Sequence, residues 1–419
     1  MSIDTTNIPE QIIALKRRIH EQCPNITEHF RELETILAEE IDSIESASKR
    51  GESVIPEIAF SDIVANQVDD TTIKAVKRRG AVMVRGVFTK EKASWWYEEL
   101  ERYLETNGYF EQDDPELDHY FSDLKADRPQ ICAVYWSKPQ VEARQSPNLA
   151  QTRSFLNRLW NYQENGTQYF DPDRECTYVD RVRMRQPGDT SLGLSPHIDG
   201  GSIERWLGDN YQQVYRSLFS SNWKSYNPFN GAFRPEVEGI DSPAVCRAFR
   251  TWQGWTALTK QGPGDGTLQL IPTTLSIDYV MLRPFQEDVP EDMLCGAVEG
   301  RAQAITDEWH SLLLRGLVSI PKVNPGDTVW WHPDVIHAVE HEHKGSNVSS
   351  VLYIGSAPWC DRNVRYLERQ TQPFLEGRSA PDFAPEDYEL AYTNRASLED
   401  LTELGRRQMG FDKASYGLH

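Results

Sequence analysis

The feature that most constrains the fold of this chain is a series of short strand-like runs separated by turns instead of helices. Each run is bounded by Pro, Gly, Asp or Asn. Short strands joined by turns are typical of antiparallel sheets, whereas parallel sheets need a helix between successive strands. The runs lie at residues 178–185, 250–258, 267–270, 328–332 and 349–354. The sequence therefore predicts a mainly β core with flanking helices, an α+β fold in which the strands form an antiparallel barrel or jelly roll.

Helical patterns flank this core on both sides. Apolar residues recur at three- and four-residue spacing over residues 9–50, and Pro24-Asn25 divides this stretch into two predicted helices. Further helices are predicted over residues 72–79, 90–106, 151–161 and 397–408.

These patterns predict three segments. Residues 1–54 form a helical extension that either packs on the main domain or joins copies in a homo-oligomer. Residues 55–360 form the main domain, with an insertion at about 200–243 that is rich in Tyr, Trp, Asn and Ser and has no clear periodicity. Residues 361–419 form a helix and loop segment that packs on the barrel.

The charge of the chain argues against two classes of partner. Acidic residues outnumber basic ones by 64 to 44, which gives a net charge of −20. Such a surface repels nucleic-acid phosphates and anionic lipids, so we expect neither partner, although a local basic pocket for a small acidic ligand is not forbidden. The six cysteines are scattered without a Cys-x-x-Cys pair, and no signal region or apolar run of membrane length is visible. A cytoplasmic protein with reduced thiols is expected.

The chemistry is predicted by two histidines and a carboxylate. His197 and Asp199 are two residues apart, and such residues on a strand point to the same face. A second histidine, His337, follows the strand-like run at 328–332 and can complete a set of three ligands. Two imidazoles and one carboxylate suit Fe(II) and leave positions open for other ligands. By itself a His-x-Asp sequence is a weak signal, and a hydrogen-bonded pair in a loop is its more common explanation.

The neighbouring motifs strengthen the metal interpretation. Four of them occur in a fixed order: Trp-Gln-Gly-Trp-Thr-Ala-Leu at 252–258, Gly-Asp-Gly-Thr-Leu-Gln-Leu-Ile-Pro at 264–272, Pro-Gly-Asp at 325–327 and Ile-His at 336–337. This order resembles the double-stranded β-helix, a jelly-roll or cupin-like barrel, of the phytanoyl-CoA-hydroxylase-like oxygenases. The resemblance covers roughly residues 80–360. Residues 197–206, 253–258 and 357–360 more specifically resemble the YbiU-type family of bacterial and fungal proteins.

The resemblance implies a function and a cofactor. It implies an Fe(II)- and 2-oxoglutarate-dependent dioxygenase that hydroxylates a small molecule, with iron held by His197, Asp199 and His337. The intact Asp199 argues against the halogenating variants, in which that position is vacant.

One part of the family pattern is missing. Most relatives of this fold bind the distal carboxylate of 2-oxoglutarate with an Arg or Lys on the strand after the second histidine, but the run at 349–354 contains neither. The cation must then come from elsewhere, because a guanidinium pairs well with a carboxylate. The candidates are Arg183, Arg185, Arg205 and Arg250, helped by the hydroxyls of Thr256 and Ser349.

Two alternatives remain open at this point. The same ligands could hold Zn, Mn or Ni in a cupin-like enzyme with non-oxidative chemistry. The chain could also be a non-catalytic binding protein that retains the barrel. Metal analysis combined with 2-oxoglutarate turnover separates the three hypotheses.

Overall fold

The computed structural model describes residues 6–111, 130–190, 194–237 and 246–412. Within these ranges the α-helices are α1 Ile8–Gln22, α2 Ile26–Lys49, α3 Phe60–Val64, α4 Asp70–Arg79, α5 Lys90–Thr106, α6 Lys138–Arg144, α7 Pro147–Asn157, α8 Glu204–Leu207, α9 Asp209–Tyr215, α10 Leu275–Leu282, α11 Asp307–Leu314, α12 Asp361–Glu376 and α13 Glu403–Gln408. Short 3-10 helices cover Tyr109–Glu111, Trp223–Ser225, Arg283–Phe285, Tyr388–Leu390 and Leu398–Asp400.

The strands are mostly short. They are β1 Glu57–Ala59, β2 Ala81–Arg85, β3 Ile131–Cys132, β4 Gln163–Glu164, β5 Thr167–Gln168, β6 Asp171–Glu175, β7 Val182–Arg185, β8 His197–Ile198, β9 Gln253–Ala257, β10 Leu268–Leu270, β11 Gln303–Ala304, β12 Val318–Ser319, β13 Thr328–Trp331, β14 His337–Val339, β15 Ser349–Tyr353 and β16 Pro358–Trp359. The α+β class predicted from the sequence is confirmed. The described chain has fewer strand residues than helical residues, however, so the core is less β-rich than predicted.

The larger sheet contains seven strands in the order β1-β2-β13-β9-β15-β7-β3. Its pairings are antiparallel except for β1 with β2. The register aligns Trp255 with Val329 on one side and with Tyr353 on the other, and it aligns Val351 with Arg183. Because residues two apart share a face, this register fixes which side chains of the sheet point together.

The smaller sheet contains five strands in the order β11-β8-β14-β10-β12, all antiparallel. Strands β8 and β14 are neighbours, with His197 directly opposite His337. The two sheets share a hydrophobic core, in which Trp255 and Val329 of the larger sheet pack with Leu268 and Leu270 of the smaller one. Among the described residues no strand of one sheet is hydrogen-bonded to a strand of the other.

The N-terminal helices belong to a second core. The predicted break is confirmed, since α1 ends at Gln22 and α2 begins at Ile26. Side chains of α2, among them Leu33 and Leu37, are fully buried. They lie in the same cluster as Ile198 and Ile336, which adjoin the two histidines. This extension therefore supports the back of the smaller sheet.

The predicted insertion also contributes to this second core. Its described part contains α8, α9 and a 3-10 helix, and it buries Trp206, Tyr215 and Trp223 in the cluster around α2 and α10. The expected absence of periodicity is explained by the shortness of these helices. Residues 238–243 of the insertion lie outside the described residues.

The C-terminal segment begins with α12 and packs on the larger core. Cys360, just before α12, is buried in the cluster formed by the outer face of the larger sheet. The helix predicted over 397–408 is divided into a 3-10 turn and α13, with Leu401 in an extended conformation between them. No helix in the described ranges is long and apolar enough to cross a membrane.

Candidate metal centre

Strands β8 and β14 bring the three predicted ligands together. The Nε2 atom of His197 lies 3.3 Å from Oδ1 of Asp199, and Nε2 of His337 lies 3.7 Å from Oδ2 of the same carboxylate. One potential ligand atom from each residue lies within 4.8 Å of the other two. Two ligands that each lie about 2.1 Å from a metal at a right angle are about 3 Å apart. The observed spacing therefore fits three ligands on one side of a metal ion.

Each imidazole is oriented by its own chain segment. Nδ1 of His197 lies 2.7 Å from the Ser195 carbonyl oxygen, and Nδ1 of His337 lies 3.3 Å from the Val335 carbonyl oxygen. A carbonyl can only accept, so each Nδ1 carries the proton and each Nε2 keeps its lone pair. Both lone pairs are thus available where the carboxylate lies.

The turn after Asp199 requires glycine. Gly200 and Gly201 have φ values of 91° and 86°, which side-chain-bearing residues rarely adopt. A Cβ atom at Gly200 would lie 3.2 Å from the Tyr211 hydroxyl. The Gly-Gly pair therefore lets the chain reverse directly behind the ligand carboxylate.

The charges in the site suit metal binding. Burial raises the pKa of Asp199, but at the acid pH where this carboxyl titrates the histidines are protonated, and the hydrogen bond from His197 with the charges of His337, His197 and Arg250 holds the pKa well below its usual range. Burial, reinforced by the charge of His197, lowers the pKa of His337 to about 4. At neutral pH the site therefore offers an ionised carboxylate and, at His337, a neutral imidazole.

Gln253 is a site residue that the sequence analysis missed. Its Nε2 donates a 2.8 Å hydrogen bond to Oδ2 of Asp199. Its Oε1 is buried and has no hydrogen-bond partner among the described residues. Gln253 starts β9 on the same face as Trp255, which points to the space between the sheets. A polar residue on the inward face of a buried strand is the signal that could have identified it.

Arg205 supports the centre from behind. It donates hydrogen bonds to the carbonyl oxygen of Asp199 and to the Tyr215 hydroxyl, and it forms a 3.0 Å ion pair with Asp334. Arg234 pairs with the other oxygen of Asp334 at 2.8 Å. This buried network joins the turn after Asp199 to the loop before His337. Arg205 is therefore committed to the scaffold and is not placed to meet a co-substrate.

Two other predicted contacts, Arg185 and Ser349, are also placed elsewhere. Arg185 is fully buried, donates to the carbonyls of Glu340 and His341, and pairs with Asp189 at 3.2 Å. The Ser349 hydroxyl donates to the Asp265 carbonyl at 2.5 Å.

Thr256 is on the wrong face of its strand. It lies between Gln253 and Ala257 in β9 and is aligned with Thr328 and Leu352, so it points away from Asp199. Its hydroxyl is buried without a hydrogen-bond partner among the described residues. The prediction that Thr256 contacts the co-substrate is corrected for this reason.

Among the described residues, Arg183 and Arg250 have fewer polar contacts than Arg185 and Arg205. Arg183 shares its face with Val351, and its Nη2 contacts the Gly266 carbonyl at 3.1 Å and Gln130 at 3.3 Å. Nη2 of Arg250 lies 4.0 Å from Oδ2 of Asp199. The structure thus reduces four candidate arginines to two.

A family model described as Gig2-like matches residues 6–411. The chain belongs to the Gig2-like family. It is 40% identical over 400 residues to the protein YbiU of Escherichia coli K12, with 95% of each chain covered. The predicted resemblance to YbiU-type proteins is confirmed.

Two solved structures extend the comparison of this Gig2-like chain. A Salmonella typhimurium LT2 protein, named provisionally as an oxidoreductase, is 39% identical with a TM-score of 0.92, covering 98% of this chain and 99% of that one. The GlcNAc-inducible Gig2 protein of Candida albicans is 29% identical with a TM-score of 0.82, covering 98% of this chain and 90% of that one. The fold is thus shared between bacterial and fungal members over nearly the whole chain.

Proposed function

We propose that this Gig2-like protein is an Fe(II)- and 2-oxoglutarate-dependent dioxygenase that hydroxylates a small molecule. The observation that carries the proposal is that two Nε2 atoms and one carboxylate lie on one side of the position that a metal ion would take. The side chain of Asp199 is 36% exposed, so the opposite side of that position is open to ligands. The name of the Salmonella relative, an oxidoreductase, supports the same class of reaction.

The arrangement of the sheets supports the double-stranded β-helix of phytanoyl-CoA-hydroxylase-like oxygenases. The ligands stand on the smaller sheet, while Gln253 and Trp331 approach them from the larger sheet. The site therefore lies between two facing antiparallel sheets, as in that fold. We propose this architecture for the described strands.

Iron(II), together with 2-oxoglutarate and O2, supplies the oxidant that replaces a substrate C–H bond by C–OH while 2-oxoglutarate becomes succinate and CO2. His197 and His337 would hold the iron through Nε2, and Asp199 would supply one negative charge. Gln253 fixes the rotation of the Asp199 carboxylate through Oδ2. Arg205 fixes the backbone of the same residue through its carbonyl oxygen.

Arg183 is the proposed partner of the distal carboxylate of 2-oxoglutarate. Only one of its terminal nitrogens, Nη2, has a described hydrogen bond. Burial raises the pKa of the neighbouring Tyr353 hydroxyl, and the charges of Arg183 and Asp199 act on it in opposite directions. Tyr353 shares a face of β15 with Val351, which is aligned with Arg183, and is itself aligned with Trp255, so the co-substrate would extend from the metal past Tyr353 to Arg183. A buried carboxylate without such a cation would cost several kcal/mol.

Iron binding and turnover test the proposal. Protein reconstituted anaerobically should bind about one Fe(II) per chain, and His197→Ala or His337→Ala should lose most of it. Arg183→Ala should raise the KM for 2-oxoglutarate at least tenfold in an assay of succinate formation, since a hydrogen bond to a charged group contributes about 1.5–3 kcal/mol. Arg102→Ala, on the exposed face of α5, is the matched control. If iron-loaded protein forms no succinate even without substrate, the dioxygenase assignment fails.

A further inference from the structure

Arg250 is a cation that the proposed reaction leaves without a role. Its guanidinium makes no hydrogen bond to a residue that the structure describes, and its only ion pair in those ranges is the 4.0 Å approach to Asp199. The side chain is 16% exposed, so water can satisfy few of its five N–H donors. An arginine in this situation normally pairs with an acidic group.

Three carboxylates act on Arg250, those of Asp199, Asp180 and Asp382, and among the described residues none of them is hydrogen-bonded to its guanidinium. Asp199 is separated from Arg250 by more than a hydrogen-bond distance, and its charge is directed to the metal position. The negative charge of Asp180 also acts on Arg250. However, Oδ1 of Asp180 accepts a hydrogen bond from the Arg181 backbone N–H at 2.7 Å and lies 3.7 Å from Nε of the Arg181 guanidinium. Donors of Arg250 thus remain available.

The position of Arg250 is built into the scaffold. Its guanidinium carbon lies 4.9 Å from the centre of the Tyr178 ring, a cation–π contact that restrains the position of the group. Its stem passes over Gly355, where a Cβ atom would lie 3.1 Å from Cδ of Arg250. The arginine is thus held next to Asp199, with Nη2 4.0 Å from Oδ2.

We propose that Arg250 recognises an acidic group, a carboxylate or a phosphate, on the molecule that is oxidised. This inference rests on the proposed function and names the substrate class of the same site. The distal carboxylate of 2-oxoglutarate is assigned to Arg183 on β7, which leaves Arg250 for a second anion. Binding that anion would place the adjoining carbon atoms of the substrate over the metal position.

A binding experiment that needs no turnover tests this inference. Zn(II)-loaded protein is saturated with 2-oxoglutarate and titrated calorimetrically with benzoate, phenyl phosphate and neutral benzamide, whose flat rings suit a site bordered by tyrosines. At least one of the two anions should bind saturably, and benzamide should bind at least tenfold more weakly. Which anion binds better distinguishes a carboxylate site from a phosphate site.

Variants assign the binding to Arg250. Arg250→Met keeps the packing on Tyr178 and removes the charge, so it should weaken anion binding at least tenfold, while Arg250→Lys should retain part of it. Arg102→Ala should bind like the unaltered protein. The 2-oxoglutarate dissociation constant should stay within about twofold in Arg250→Met.

Several results would overturn the inference. These are binding of neither anion, equal binding of benzamide, unchanged binding in Arg250→Met, or a tenfold weaker affinity of that variant for 2-oxoglutarate. Because zinc supports no oxidation, anion binding at Arg250 without any succinate formation by iron-loaded protein would refute the dioxygenase alone. Succinate formation with no Arg250-dependent anion binding would refute the substrate class alone.

Discussion

Replacing Gln253 with methionine should weaken metal binding without touching a ligand. The change keeps the length of the side chain but removes the amide that donates to Oδ2 of Asp199 at 2.8 Å. Asp199 then keeps its backbone contact with Arg205, but its carboxylate loses the hydrogen bond that fixes its rotation. We therefore expect the metal to dissociate more easily.

The size of the effect follows from the contacts of Oδ2. A hydrogen bond to a charged group contributes about 1.5–3 kcal/mol, and the loss of a partner that orients a ligand typically costs 10–100-fold in metal affinity. Arg250 remains 4.0 Å from Oδ2 and compensates for part of the loss. A rise of about tenfold to fiftyfold in the dissociation constant is the expected result.

The assay is an anaerobic competition between the protein and a chromogenic chelator for Fe(II). Gln269→Met is the matched control, because Gln269 lies on β10 of the smaller sheet between two core leucines, and in the described ranges its side chain has one hydrogen bond, to Ser319 at 3.4 Å. The control should leave the dissociation constant unchanged. If Gln253→Met, folded normally by circular dichroism, binds iron as tightly as the unaltered protein, the orienting role of the amide is refuted.

Three further outcomes are expected. Thr256→Val should leave the KM for 2-oxoglutarate unchanged, since the hydroxyl faces away from the metal, and a clear rise in that KM would contradict this. The urea unfolding midpoint should stay equal or rise, because the hydroxyl is buried without a hydrogen-bond partner among the described residues. Asp334→Asn breaks the buried pairs with Arg205 and Arg234 and should lower the free energy of unfolding by about 3–5 kcal/mol in urea titrations; a loss below 1 kcal/mol would count against the network. Burial raises the pKa of Glu389 to about 7 from 4.5. As the pH rises, the unfolded chain therefore loses this proton before the folded protein does. The contribution of Glu389 to the free energy of unfolding should then fall by about 3 kcal/mol between pH 4.5 and pH 7. Glu389→Gln should remove that part of the pH dependence between pH 5 and pH 7.5, and identical pH slopes for both proteins would refute it.

The grouping of His197, Asp199 and His337 could be predicted because the pattern is local. His-x-Asp needs only a strand to place two side chains on one face, and the second histidine follows a clear strand-like run. The sequence pattern could not show which of the candidate arginines is free to meet a co-substrate. Arg183 and Arg185 share a face, and only the loop near Glu340 shows that Arg185 is bonded to backbone carbonyls.

The error at Thr256 has the same origin. Strand β9 is buried on both faces, so its residues carry no apolar and polar alternation that would show which face points to the metal. If the assumed register of the strand is shifted by one residue, a neighbour of Thr256 takes its place on the face that points to the metal. Helix α10 was not predicted for a related reason, because nearly all of its residues are buried and its sequence lacks a polar face.

The openness of the metal centre has a consequence for which ion the protein carries. Each imidazole is oriented by a carbonyl of its own segment, and Asp199 is 36% exposed, so an ion can enter the folded protein and exchange. Nitrogen and oxygen sites of this kind bind nickel and copper more tightly than Fe(II). Material passed over a nickel column would then hold the wrong metal and lack activity until it is stripped and reloaded. In the cell, the identity of the ion would follow its supply.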